Sequence, residues 1–239
     1  MTAKRLFDLS FAVLAIALLW PLVAILCLII WAQDGHSPFH LSLRVGRGNR
    51  DFAMIKLRSM IIGAEVIGGS STASSDARIT GFGRFLRRWK LDELPQFLNV
   101  LAGQMSIVGQ RPNLRRGGVD KYTPVEMGLL AVRPGLTDLA SIVFADEAEI
   151  LEGESDADLA YDRLIRPWKC RLGLLYIERQ SIGADLLIAI MTAVAIVARP
   201  LALSLLDPML RRWGANATTR ELCLRQRSLH TFVGELESV

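Results

Sequence analysis

The stretch Leu91-Asp92-Glu93-Leu94-Pro95-Gln96 sets two adjacent carboxylates directly after Arg87, Arg88 and Lys90. A carboxylate is a weak nucleophile, yet in phosphoryl chemistry it can form a covalent intermediate that divides one difficult transfer into two easier ones. Neighbouring cations keep such a group ionised and can hold a phosphate beside it. Pro95 suits the first turn of a helix, and Leu94, Phe97, Leu98 and Leu101 follow with helical spacing up to Gly103. The spacing predicts Asp92 and Glu93 at a helix N-terminus, where free N–H groups and the helix dipole attract anions. The same six residues also suit a plain helix cap flanked by solvated arginines.

Further cations recur at intervals around this pair. Residues 39–60 read as two short strands joined by the turn-rich Val45-Gly46-Arg47-Gly48-Asn49, a β-hairpin pattern. Lys56 and Arg58 lie at the end of its second strand, either on a solvated face or turned toward a diphosphate. Met105 to Pro112 and Val132 to Thr137 each place an arginine, Arg111 and Arg133, directly before a proline in extended, glycine-punctuated backbone. Loops of this kind can aim a guanidinium at a phosphate, and one Arg-Pro-Gly taken alone is usually a turn. Residues 68–77 form a polar, small-residue loop, read as a connector or a lid.

Positioning such groups takes a scaffold, and composition bounds what it is. The 239 residues, about half of them hydrophobic, suit one main domain with appendages. A net charge of +4 and positive mean hydropathy favour a membrane surface over nucleic acid as partner. Cys27, Cys170 and Cys223 are too dispersed for a disulfide framework or a zinc site and fit a reducing compartment.

Leu6 to Ala32 is almost wholly apolar, too long for a signal-peptide core and followed by no small-residue cleavage pattern. Pro21 interrupts it, and basic residues flank both ends, with Lys4 and Arg5 before and Arg44, Arg47 and Arg50 after. Length suits a kinked spanning helix, whereas cations at both ends suit a re-entrant helix that bends near Pro21 and returns to the same face. Asp8, inside the apolar run, is expected to pair with Lys4 or Arg5 one turn earlier. Toward the C-terminus, the acidic run from Asp146 to Asp158 reads as a solvated face. The apolar run from Ala184 is cut at Arg199-Pro200 before resuming to Leu206, too short to span and better suited to an interfacial or core helix. From Asp207 onward, Arg211, Arg212, Arg220, Arg225 and Arg227 suggest a tail resting on anionic headgroups.

Together these segments resemble the bacterial sugar transferase family, the monotopic phosphoglycosyl transferases. The resemblance rests on Lys4-Arg5-Leu6-Phe7-Asp8, Pro21, Lys56-Leu57-Arg58-Ser59-Met60, Leu91 to Gln96, Met105 to Pro112 and Val132 to Thr137, and extends more weakly to about Val197. It implies an α+β fold, mainly helical with a small β-hairpin. The divisions are a re-entrant membrane helix at 1–33, a cytoplasmic catalytic domain at 34–182, an apolar interfacial region at 183–206 and a basic tail at 207–239.

The implied reaction moves a sugar 1-phosphate from a UDP-sugar to polyprenyl phosphate, undecaprenyl phosphate in bacteria, releasing UMP. Such a step initiates exopolysaccharide, capsule, O-antigen or glycoprotein glycan synthesis at the cytoplasmic face of the inner membrane. By resemblance Asp92 is the nucleophile, and Glu93 orients or activates the acceptor or holds Mg²⁺ together with Asp92. Arg111 and Arg87 stabilise phosphoryl charge, Lys56, Arg58 and Arg133 contribute to donor binding, and Pro21 makes the membrane bend. The partners implied are UDP-sugar, polyprenyl phosphate and membrane lipids, with no nucleic acid and with a homodimer as the assembly to test. A catalytically silent membrane adaptor on the same scaffold is the alternative, against which the retained Asp92, Glu93 and Arg111 argue. The chain departs from the family pattern at Trp20, Lys90, Gln110, Asp138 and Ser141.

Overall fold

The computed structural model of the protein describes residues 2–64, 76–152 and 154–232. Helix α1 (Ala3–Asp34) starts at Thr2, whose hydroxyl accepts the Arg5 N–H, and closes at Gly35, whose left-handed backbone lets its N–H reach the Trp31 carbonyl. Pro21 lies inside it and removes the hydrogen bond that the Ala17 carbonyl would otherwise accept. Strands β1 (Phe39–Val45) and β2 (Asp51–Leu57) form the expected antiparallel hairpin, in register from Phe39 opposite Leu57 to Val45 opposite Asp51. Its turn needs positive φ at Gly48 and Asn49, residue types that reach that region with little strain.

Helix α2 (Gly81–Arg88), the short α3 (Gln96–Leu101) and strand β3 (Ser106–Val108) follow. Strand β3 pairs in parallel with β4 (Gly135–Thr137), after which come α4 (Leu139–Val143) and α5 (Arg166–Arg179). A single π-helical turn, Tyr161–Ile165, leads into α5. Helix α6 (Ile182–Arg212) and helix α7 (Ala217–Cys223) complete the fold. The mainly helical α+β architecture read from the sequence is what the chain adopts. Of the loop expected at 68–77, only Asp76 and Ala77 fall among the described residues.

Two apolar clusters organise these elements. The larger joins α1, α3, β3, α4, α5 and α6 through residues such as Ala12, Val100, Ile107, Ile142, Trp168 and Ile188. In the smaller one, Leu26 and Ile30 near the end of α1 pack on Leu57 of β2 and Leu86 of α2. Both halves of α1 therefore lie against one folded body, while Leu14, Leu18, Trp20 and Leu28 along it stay exposed.

Polar anchors fix the two ends of α1. Lys4 donates to Asp8 at 3.3 Å, as the one-turn spacing predicts, and ion-pairs with buried Asp185 of α6 at 2.8 Å. Asp8 also accepts from Ser106 Oγ at 2.9 Å and the Ile107 N–H at 3.0 Å, and Arg5 donates to the carbonyls of Val100 and Leu101. At the far end Arg58 clasps Asp34 with both terminal nitrogens, at 2.5 and 2.7 Å, and donates to the carbonyls of Ser37 and Ile30. Asp8→Ala strips the Ile107 N–H of its acceptor, leaves Ser106 Oγ only the Val108 carbonyl and takes one partner from Lys4. Breaking a buried pair costs about 3 kcal/mol or more, so thermal unfolding should show a Tm lower by roughly 5–12 °C. An unchanged Tm would show that this network does not anchor α1.

The C-terminal third departs from the sequence expectations. Helix α6 runs through the boundary expected at 206/207, and its one interruption is Ala198, whose backbone leaves the helical region two residues before Pro200. At 31 residues it is long and apolar enough to cross a membrane by composition, as is α1. The basic tail pairs largely within itself, Arg211 and Arg220 with Asp207 and Arg227 with Glu221, and Arg225 ties it to Asp146. Trp168 and Phe232 meet edge to face at 5.8 Å, which makes the last described segment part of the core. The acidic run is likewise engaged, with Asp146 clasped by Arg199 at 2.8 Å and Glu147 paired with Lys169. These cations come from far along the chain, where local charge counting cannot see them.

Candidate active site

Asp92 and Glu93 occupy a 3₁₀ turn, Leu91–Glu93, one turn ahead of α3. The carboxylates thus precede the helix instead of capping it, and a helix of six residues has little dipole to offer. Lys90, with φ 56°, makes the sharp turn out of α2 that lets the 3₁₀ turn face the hairpin. Asp92 is buried, with 5% of its surface exposed. No hydrogen bond or ion pair to it forms among the described residues, although the cations Lys56, Arg87 and Lys90 act on it electrostatically. Burial pushes its carboxyl above the usual carboxylate range, Lys56 pulls it back, and the adjacent Glu93 charge adds to the rise.

Glu93 is bound the opposite way. Arg111 grips both its oxygens, Nη1 to Oε2 at 2.8 Å and Nη2 to Oε1 at 2.5 Å, and Lys56 Nζ stands 3.6 Å from Oε1. Burial alone would raise the Glu93 carboxyl, but the Arg111 and Lys56 charges hold it well below the carboxylate range. Two neighbouring carboxylates are thus pushed in opposite directions, one left open and one clasped, a pattern typical of sites that divide chemical roles.

Arg111 is placed by the β3–β4 pair. Gly109 and Gly135 approach so closely there that a Cβ on Gly135 would stand 2.2 Å from the Gly109 backbone. That contact aims the Arg111 loop at Glu93, and the Leu136 carbonyl and the Asp138 carboxylate hold it, accepting from Arg111 Nη1 at 3.1 Å and from its backbone N–H at 3.2 Å. Asp138 also caps α4 through the Ser141 N–H and hydroxyl.

Of the other residues singled out in the sequence, Lys56 and Arg87 border the same cleft as the carboxylates. Arg87 is held by Ser59 Oγ at 2.9 Å, and burial lowers its guanidinium against the raising effect of Asp92. Arg58 reaches the rim, but its guanidinium is committed to Asp34 and the end of α1. Arg133 lies apart from the pair and donates to the Gly103 carbonyl at 2.8 Å. The sequence offered Arg44 only as a cation flanking the apolar segment, whereas it borders the cleft near Arg111 and Glu93. The signal available was period two: His40, Ser42 and Arg44 share a face of β1, and all three border the cleft.

The cleft has a volume of about 1760 Å³ and two unlike walls. One is charged, with Lys56, Arg87, Lys90 and Arg111 around the carboxylates. The other is apolar, made by Phe11, Leu14, Leu18 and Leu19 of α1 and by Ala189, Ala193 and Ile196 of α6. An ionic centre opening onto an apolar trough suits a reaction between a phosphorylated water-soluble molecule and a phosphorylated lipid.

Comparison with known proteins points the same way. Residues 1–199 match the family model described as bacterial sugar transferase. The chain is 36% identical over 169 residues to a UDP-N-acetylgalactosamine-undecaprenyl-phosphate N-acetylgalactosaminephosphotransferase of Aeromonas hydrophila, covering 69% of this chain and 40% of that protein. With a UDP-glucose:undecaprenyl-phosphate glucose-1-phosphate transferase of Xanthomonas campestris it shares 35% identity over 208 residues, 84% of this chain and 40% of the relative. The exopolysaccharide production protein ExoY of Rhizobium meliloti is 31% identical over 81% of this chain and 85% of its own length. The chain thus spans less than half the length of the first two relatives and most of the third. A match over the first 199 residues, with Asp92, Glu93 and Arg111 gathered at one cleft, means that the chain belongs to the bacterial sugar transferase family.

Proposed function

We propose that the protein transfers a sugar 1-phosphate from a UDP-sugar to a polyprenyl phosphate, as the initiating step of a bacterial surface polysaccharide. The observation that carries this reading is the Asp92 carboxylate, buried, unpartnered among the described residues and set between cations at the mouth of an apolar trough. The names of the relatives from Aeromonas and Xanthomonas describe transfer from a UDP-sugar to undecaprenyl phosphate, which supports the same substrates here. A cleft of about 1760 Å³ exceeds the roughly 300–1,000 Å³ of a single-ligand pocket and has room for donor and acceptor together.

In this mechanism an Asp92 oxygen attacks the sugar-bearing phosphorus, and the bond to the bridging oxygen breaks with its electron pair leaving on UMP. An oxygen of the polyprenyl phosphate then attacks the same phosphorus and expels Asp92, giving a polyprenyl diphosphate sugar. Lys56 and Arg87 neutralise charge on the transferred group. Glu93, ionised and fully clasped, is a poor base and acts by holding Arg111 in place. Mg²⁺ fits this site through Asp92 and the phosphate oxygens, since it commonly takes one or two carboxylates plus substrate phosphates, whereas both Glu93 oxygens face Arg111. When bound, it would supply charge neutralisation between carboxylate and diphosphate. A panel of radiolabelled UDP-sugars with polyprenyl phosphate tests the reaction and names the donor. No turnover with any donor would leave the silent-adaptor reading standing.

The reading places the chain at the inner membrane with its catalytic domain in the cytoplasm and α1 re-entrant. Its first turn is tied to Val100, Leu101 and Asp185, and its last to Arg58, all on one body. Thirty-two helical residues reach about 48 Å if straight, longer than the roughly 30 Å hydrocarbon core, so a spanning α1 would part these anchors across the bilayer. The exposed Ile182, Leu186, Ile190 and Val197 suit α6 to the interface. Ser37→Cys in intact cells should resist a membrane-impermeant thiol reagent applied from the periplasm and react once the membrane is opened. Periplasmic labelling would sink the re-entrant topology.

A further inference from the structure

Arg44, near the end of β1, keeps a buried guanidinium nitrogen without a partner at the edge of the cleft. Its Nε is fully buried with no acceptor, and no hydrogen bond or ion pair to its guanidinium forms among the described residues. Glu93, the carboxylate nearest in electrostatic effect, already gives both oxygens to Arg111, so Arg44 faces a like charge without a counter-ion of its own. Burial first, and repulsion from Arg111 second, pull its guanidinium down to about 10. A half-buried cation whose buried Nε lacks an acceptor opposes folding, and such groups persist where a ligand supplies the missing charge. The Val45 N–H bonds the Asn113 carbonyl, which ties this end of β1 to the loop that carries Arg111.

The cations of the cleft fall into two groups. Lys56 and Lys90 act on both carboxylates and Arg87 chiefly on Asp92, whereas Arg44 and Arg111 act chiefly on the Glu93 side, Arg44 near Tyr161 as well. A diphosphate donor likewise has two phosphates: one is attacked by the nucleophile, and the other departs. We propose that Arg44 binds the nucleotide-side phosphate of the donor, the group that leaves as UMP. As the bond from the sugar-bearing phosphorus to the bridging oxygen breaks, its electron pair passes to that oxygen and the UMP phosphate gains negative charge. Arg44 and Arg111 then receive that charge from adjacent positions, and the anion separates the two guanidinium groups that otherwise repel. This inference rests on the proposed transfer reaction.

UMP itself is the probe, with the full chain in lipid nanodiscs, using calorimetry for affinity and thermal unfolding for stability. Arg44→Met should be at least as stable as the wild type without ligand, because it removes an unpaired buried charge. It should bind UMP about 10- to 100-fold more weakly, the loss expected for charge-assisted hydrogen bonds, and should lose the UMP-induced rise in Tm. Arg44→Lys, which keeps the charge without the fork, should fall between the two. Uridine, lacking the phosphate, should bind wild type and Arg44→Met alike. Wild-type UMP affinity in Arg44→Met would overturn the assignment, and a lower Tm with the UMP-induced rise intact would make Arg44 a structural strut. If the wild type binds no UMP at all, the proposed reaction fails and this inference falls with it.

Discussion

Asp92→Asn is expected to lower turnover by roughly a thousandfold or more, because the amide keeps the shape of the side chain and lacks the nucleophilic oxygen. Stability should hold or rise, since Asp92 makes no hydrogen bond or ion pair among the described residues whose loss would register and the amide removes a buried charge. That separation of effects distinguishes a reacting group from a structural one. The same burial sets a pH signature. An Asp92 carboxyl raised above its ordinary value near 4 must lose its proton to attack, so kcat/KM for the wild type should fall, as pH drops, at a higher pH than an exposed aspartate would give. Glu93, held low by Arg111, stays ionised over that range and contributes no limb. Appreciable turnover by Asp92→Asn would assign the chemistry to direct attack by the lipid phosphate.

Arg111→Met should damage both fold and catalysis. The Glu93 carboxylate, with 13% of its side chain exposed, would keep Lys56 at 3.6 Å as its one ion-pair partner among the described residues, and stranding one partner of a buried pair costs about 3–5 kcal/mol. Activity should fall by roughly 10²- to 10³-fold through lost stabilisation of phosphoryl charge. Adding Glu93→Gln removes the stranded charge, so the double variant should regain much of the stability and none of the activity. Thermal unfolding and turnover measured on the single and double variants check both parts. If the double variant recovered activity as well, Arg111 would be a fold residue only.

Much of this site was legible in the sequence because its parts lie in short, punctuated segments. The hairpin followed from alternating residues around Gly46 to Asn49, and the Lys4 to Asp8 pair from one-turn spacing. Asp92, Glu93, Lys56, Arg87 and Arg111 do meet at one cleft. The parts that stayed hidden depend on tertiary partners. Arg58 and Arg133 have the same chemistry as Arg111, and only packing shows that one anchors α1 and the other a loop carbonyl. Arg44 read only as a flanking cation because a single arginine in a strand carries no motif; its meaning comes from the orphaned Nε and from Arg111 nearby at the same cleft. The helix start expected at Asp92 became a 3₁₀ turn because Lys90 takes a left-handed conformation that residue type does not announce. The C-terminal arginines read as headgroup contacts because Asp146 and Asp207, which pair with Arg225, Arg211 and Arg220, read locally as part of a solvated acidic run and as the start of the tail.

The central claim is that Asp92 becomes covalently attached to the sugar phosphate. The most direct test mixes the wild-type protein with its UDP-sugar and Mg²⁺ in the absence of polyprenyl phosphate, measures the UMP released, and maps the modified peptide by mass spectrometry. The account predicts about one equivalent of UMP per protein and a phosphosugar adduct on Asp92 that disappears when polyprenyl phosphate is added. UMP released only after the lipid acceptor is supplied, with the protein unmodified throughout, would contradict it.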